Sequence, residues 1–163
     1  MISVLVGLLP ITSCGGGTRR SLDACALVDP SLAESLVGDR AGEPSIISND
    51  QAYNYAGCYW TGRNKTDSLT VDAKVYDPND TKTAEADFYR SAQTWECHTT
   101  LTIPRAGRSK ACAYKAPMDS GVMLFKGPVF ARIGYKGPGT PQHDQNRQPA
   151  IAQQLTTKAI STL

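Results

Sequence analysis

Apolar and polar positions along this chain follow two rhythms, one of 2 residues and one near 3.6. The alternation is clearest at Leu69-Thr70-Val71-Asp72-Ala73-Lys74-Val75-Tyr76. Leu69, Val71, Ala73 and Val75 fall on one side and Thr70, Asp72 and Lys74 on the other, as in a half-buried strand. Asp77-Pro78-Asn79-Asp80 then ends it with a turn sequence. Further along, Val129, Ala131, Ile133 and Tyr135 alternate with Phe130 and Arg132. Lys126-Gly127-Pro128 separates this run from Val122–Phe125, which predicts a hairpin. Tyr53–Trp60, Thr99–Ile103 and Ala111–Lys115 complete the expected strands.

Three segments carry the helical rhythm. Asp29 and Pro30 supply an N-cap and a first helical residue, and Leu32, Ala33, Leu36 and Val37 share one face before Gly38, so a helix is expected over 30–37. Asp80 or Thr81 caps a second, near 81–93, with Ala84, Phe88 and Ala92 in one stripe. Pro149 opens a third, about 149–161, with Ile151, Leu155, Ala159 and Leu163 as its apolar stripe. Residues 39–52, 61–67 and 136–148 read as loop or turn. Hairpins without βαβ rhythm point to an α+β fold: a mostly antiparallel sheet with about three helices packed on one face.

The apolar run from Ile2 to Ser13 has no charged residue and is too short to cross a bilayer, which takes about 20 residues. Its length suits the apolar region of a signal peptide. It ends in Leu9-Pro10-Ile11-Thr12-Ser13-Cys14, followed by three glycines, and this resembles a bacterial lipobox. Residues 1–13 would be cleaved and Cys14 would carry the lipid. No Lys or Arg precedes the run, so a start upstream of Met1 is expected. Two or more acyl chains anchor stably where one does not. Residues 14–22 form a short tether, with Arg19 and Arg20 within reach of anionic headgroups, and residues 23–163 form a single globular α+β domain.

Composition sharpens this picture in one respect. Five cysteines become four once Cys14 is set aside, and four allow three connectivities. Cys25–Cys58 and Cys97–Cys112 are favoured, because each pair is nearest in the chain and flanks packed elements. Disulfides belong to an oxidising compartment outside the cytoplasm. A zinc site is disfavoured, since no CxxC occurs and the two histidines lie far apart. Net charge is +2, from 17 basic and 15 acidic side chains with no long block of one sign, so nucleic acid is not an expected partner.

No nucleophile elbow, phosphate loop or zinc-binding helix motif occurs, and neither catalytic residues, a metal nor a cofactor is assigned. His98 beside Cys97, and His143 in a Pro/Gly loop, read as structural or solvated. Two groups remain as candidate binding residues. Tyr53, Tyr55 and Tyr59 form an aromatic cluster that stacks on sugar rings or holds a partner if it shares an exposed sheet face. Arg105, Arg108 and Lys110 form a basic loop suited to headgroups or acidic wall polymers.

In combination, several features resemble one family: the lipobox cysteine, Cys25-Ala26-Leu27-Val28-Asp29-Pro30 before a helix ended by Gly38, the Cys58-Tyr59-Trp60 strand, a helix bearing Phe88, Ile103-Pro104-Arg105-Ala106-Gly107 before two strands, and a closing apolar helix. The family is that of actinobacterial lipoproteins of unknown function, domain of unknown function 3558. The resemblance implies an envelope lipoprotein and brings no catalytic residues with it. The loop after Pro104 departs from the family, which is glycine-richer and acidic there. Extracellular sensor domains of mycobacterial kinases, which also use two disulfides, are a neighbouring likeness.

The expectation is therefore a lipoprotein on the outer face of the cytoplasmic membrane, binding an envelope ligand or protein partner without catalysis. A cell-wall-acting envelope enzyme and an extracellular sensor module are the alternatives.

Overall fold

The computed structural model describes residues 22–37, 49–50, 55–63, 65–97, 99–101, 103, 107–116, 119–137 and 148–163. Seven strands form one sheet: β1 (Asn49–Asp50), β2 (Tyr55–Thr61), β3 (Ser68–Val75), β4 (Thr99–Thr100), β5 (Lys110–Lys115), β6 (Ser120–Lys126) and β7 (Val129–Lys136). Their order is β1-β2-β3-β7-β6-β5-β4, and every neighbouring pair is antiparallel. Among the described residues three helices accompany it: α1 (Pro30–Val37), α2 (Thr81–Thr94) and α3 (Gln148–Thr162). The α+β class and both cysteine pairings are as the sequence led us to expect.

The helices divide between the two faces, which corrects the expectation of a single covered face. On one face α1, α3 and a 3₁₀ turn at Cys25–Leu27 bury Trp60, Leu69, Val71, Ala73, Val122, Leu124, Ala131 and Ile133. On the other, α2 packs Ala84 and Phe88 against Met123, Phe125 and Phe130. The physical reason lies in β5 and β6. They are apolar at successive positions, Ala111-Cys112-Ala113-Tyr114 and Val122-Met123-Leu124-Phe125, so both of their faces need cover. β3 alternates, and its Thr70, Asp72 and Lys74 side stays partly open to solvent.

Local chemistry sets the helix ends. The Asp29 carboxylate accepts the Ser31 N–H (2.9 Å) just before Pro30, and that of Asp80 accepts the Thr83 N–H (3.2 Å). The last turn of α3 is held by the Lys126 ammonium, which donates to the Ile160 carbonyl (2.9 Å). Cys25–Cys58 ties the 3₁₀ turn to β2 beside Trp60, which is 2% exposed. Cys97–Cys112 ties the chain just past α2 to β5.

Three boundaries differ from expectation. Of the strand expected over 99–103, the described part is Thr99–Thr100, and the Leu101 N–H extends the pairing by donating to the Ala111 carbonyl. The strand expected over 53–60 continues to Thr61; it is described from Tyr55, and Tyr53 and Asn54 lie outside the described residues. A two-residue strand, β1, lies in the segment expected to be loop.

Candidate functional site

α2 covers β6 and β7 but stops short of the β2–β3 side, and a cleft of about 400 Å³ opens beyond its C-terminal end. Its lining includes Trp95, Asp119, Arg132, Gly134, Lys136, Ser68 and Thr70. Strand register explains the shape. Tyr59, Thr70, Gly134 and Gly121 stand side by side across β2, β3, β7 and β6, so the floor ends in two residues without side chains. The next row brings Asp72 beside Arg132.

Arg132 is the centre of this site. Its guanidinium lies 4.1 Å from the Trp95 ring centroid, a cation–π contact. Nε donates to the Tyr114 hydroxyl (3.1 Å) and Nη2 to the Asp119 carboxylate (2.9 Å). Tyr114 also donates to Asp119 (3.1 Å). One side of the fork is thus held by protein, while the Nη1 end makes no hydrogen bond among the described residues. Burial opposes the charge on Arg132, but the oxygens of Tyr114 and Asp119 outweigh it and raise its pKa. Burial likewise pushes the Tyr114 phenol upward.

Each partner is placed by a separate piece of backbone. α2 ends in paired turns: the Glu96 N–H donates to the Gln93 carbonyl and the Cys97 N–H to that of Ala92, with Glu96 left-handed at φ 48°. This turn, and the disulfide two residues on, fix Trp95 over Arg132. Asp119 is set by the turn between β5 and β6, closed by the Ala116 N–H to the Asp119 carbonyl (2.9 Å). Gly134 is required by close approach. A Cβ there would lie 2.7 Å from the Tyr114 hydroxyl and 2.8 Å from Asp119 Oδ2.

The candidate binding residues from the sequence separate into two places. Tyr55 and Tyr59 lie on the same sheet face as the cleft, both half-buried, with Tyr59 next to Thr70. The Tyr55 hydroxyl donates to Asp72, and its pKa is pushed up to about 12 by burial and by that carboxylate. Arg108 and Lys110 are exposed at the far side of the sheet, where the Lys110 ammonium meets the Tyr89 ring and hydroxyl. They do not join the tyrosines. Tyr53, Arg105 and Cys14 lie outside the described residues.

Sequence reasoning missed Trp95, Tyr114, Asp119 and Arg132 as a group. The available signal was an arginine between Ala131 and Ile133 in a strand with few other polar residues, a place where a charge needs a partner. Among the described residues, no cluster of three or more His, Cys, Asp or Glu side chains is arranged to hold a metal ion. The chain matches no family model, no curated protein and no solved structure. No helix among the described residues is long and apolar enough to cross a membrane. The two disulfides are consistent with an extracytoplasmic domain.

Proposed function

We propose that this chain is a cell-envelope lipoprotein whose sheet domain binds a ligand or partner in the Arg132 cleft, without catalysing a reaction. Cys14 carries the lipid and residues 14–22 tether residues 23–163, one globular domain, to the outer face of the cytoplasmic membrane. The resemblance to the actinobacterial lipoproteins of unknown function supports the same placement, and so do the disulfides.

One observation carries the binding role. The cleft holds polar groups that the described protein leaves unused: the Nη1 end of Arg132, the Lys136 ammonium and the hydroxyls of Ser68 and Thr70. Lys136 is exposed at the rim, but Arg132, Ser68 and Thr70 are partly buried, and donors withdrawn from water are normally paired. A concave site with a few unspent, converging polar groups is the form a ligand site takes, and 400 Å³ lies within the usual size range. Its carboxylate is already engaged, Asp119 by Arg132 and Tyr114, which fits holding better than proton transfer.

The test titrates the purified intact chain, in detergent, with glycans solubilised from a bacterial envelope and reads Trp95 fluorescence. A saturable change that Trp95→Phe and Arg132→Gln both remove is expected. No saturable change, or turnover of an envelope substrate, contradicts the reading.

A further inference from the structure

We infer that the Arg132 cleft takes a saccharide bearing a carboxylate, such as a uronic acid unit, with the carboxylate on Arg132 and the sugar ring along Thr70 and Tyr59. This rests on the binding role proposed above and names its ligand class. Three features lead to it.

Charge comes first. The lining holds two cations, Arg132 and Lys136, against one carboxylate, Asp119, which Arg132 already engages. Asp72, in the row beside Arg132 but outside the cleft lining, accepts the Tyr55 hydroxyl and keeps its charge, and Lys74 pairs with Asp87. A single negative charge on the ligand balances the three charged groups that line the cleft. The shape of the donor comes second. Trp95 stacking and the two bonds to Tyr114 and Asp119 fix the guanidinium plane, so its open end is a rigid fork. A planar carboxylate accepts two parallel N–H bonds from such a fork.

The third feature is the path leading away from Arg132. Gly134 leaves the floor flat, Thr70 and Ser68 offer hydroxyls that both donate and accept, and Tyr59 stands at the end of the row as a half-buried ring. Hydroxyls and an aromatic platform suit a polyol ring more than an extended peptide, which would seek a free strand edge. β3 and β7, which floor the cleft, are paired along their length on both sides, while β1 meets β2 only at Tyr55 and Ala56.

The experiment titrates the intact chain with a glucuronic acid–containing disaccharide, the matching neutral glucose disaccharide, a short peptide with a free C-terminal carboxylate, and inorganic phosphate. Trp95 fluorescence and calorimetry read binding. The uronate should bind about tenfold or more tighter than the neutral sugar, the scale of one charge-assisted fork. Arg132→Lys keeps the charge but loses the fork and should remove most of that preference. Tyr59→Ala should weaken both sugars alike while leaving the preference. A melt of each variant excludes unfolding as the cause. Equal binding of both sugars, or tighter binding of the peptide or phosphate, overturns the inference. If envelope glycans still bind while the uronate does not, only the ligand class fails. If neither binds, the binding role falls with it.

Discussion

The Cys97–Cys112 link should be the main brace of the Arg132 cleft, and its contribution can be set against that of its fellow. Cys97 follows Trp95 by two residues and crosses to Cys112, which faces α2 on β5. Closing a loop over a separation of 15 restricts the unfolded chain by about 3 kcal/mol, and the separation of 33 at Cys25–Cys58 by about 4 kcal/mol. Cys58 is also fully buried, so alanine there leaves a void and adds to the loss. With a urea slope of about 1.5–2 kcal/mol/M, Cys97→Ala/Cys112→Ala should lower the unfolding midpoint by about 1.5–2 M. Cys25→Ala/Cys58→Ala should lower it further. Circular dichroism follows global unfolding, and the Trp95 share of the near-ultraviolet band, isolated by difference from Trp95→Phe, follows its packing on Arg132, which only the first pair should weaken. A midpoint shift below about 0.5 M for the first pair, or a larger loss from it than from the second, refutes the reasoning.

Other consequences follow from single side chains. Gly134→Ala pushes a methyl into Tyr114 and Asp119 and should cost about 1–3 kcal/mol in a thermal or urea melt, with the Trp95 signal altered. Tyr135→Phe removes a buried hydroxyl with no hydrogen-bond partner among the described residues, and should stabilise by about 1 kcal/mol in the same melt. Leu155→Ala, fully buried on the inner face of α3, should cost about 2–5 kcal/mol, while Tyr89→Ala at 44% exposure should change stability by less than about 0.5 kcal/mol. Tyr55 and Tyr135 have pKa values raised to about 12, chiefly by burial, and Tyr76 and Tyr114 are also raised. The folded state therefore holds these protons where the unfolded state loses them near the ordinary value of 10. Stability should be intact below pH 10 and fall as pH rises towards 12, seen as cooperative unfolding in a tyrosinate absorbance titration.

Much of the fold could be read from periodicity because single faces are buried. The alternation of Leu69 to Val75 sets one side of β3 towards the core, and Ala84 and Phe88 set the inward stripe of α2. Where two faces are buried, as in β5 and β6, the pattern loses its period, and the side on which α2 would pack could not be read. The candidate site was half legible. Tyr55 and Tyr59 share a sheet face because they are four residues apart on one strand. The Arg132 site escaped because Trp95, Tyr114 and Asp119 come from a helix end, a strand and a turn that meet only through sheet order. Arg108 and Lys110 looked like a patch in sequence, yet Lys110 is engaged with Tyr89.

Intact mass spectrometry of the membrane fraction, without reduction, reads the proposed lipid anchor and both disulfides in one experiment. The expected species is a chain beginning at Cys14, carrying a diacylglyceryl group and no titratable thiol. An unlipidated chain retaining residues 1–13, with its thiols free, would contradict it.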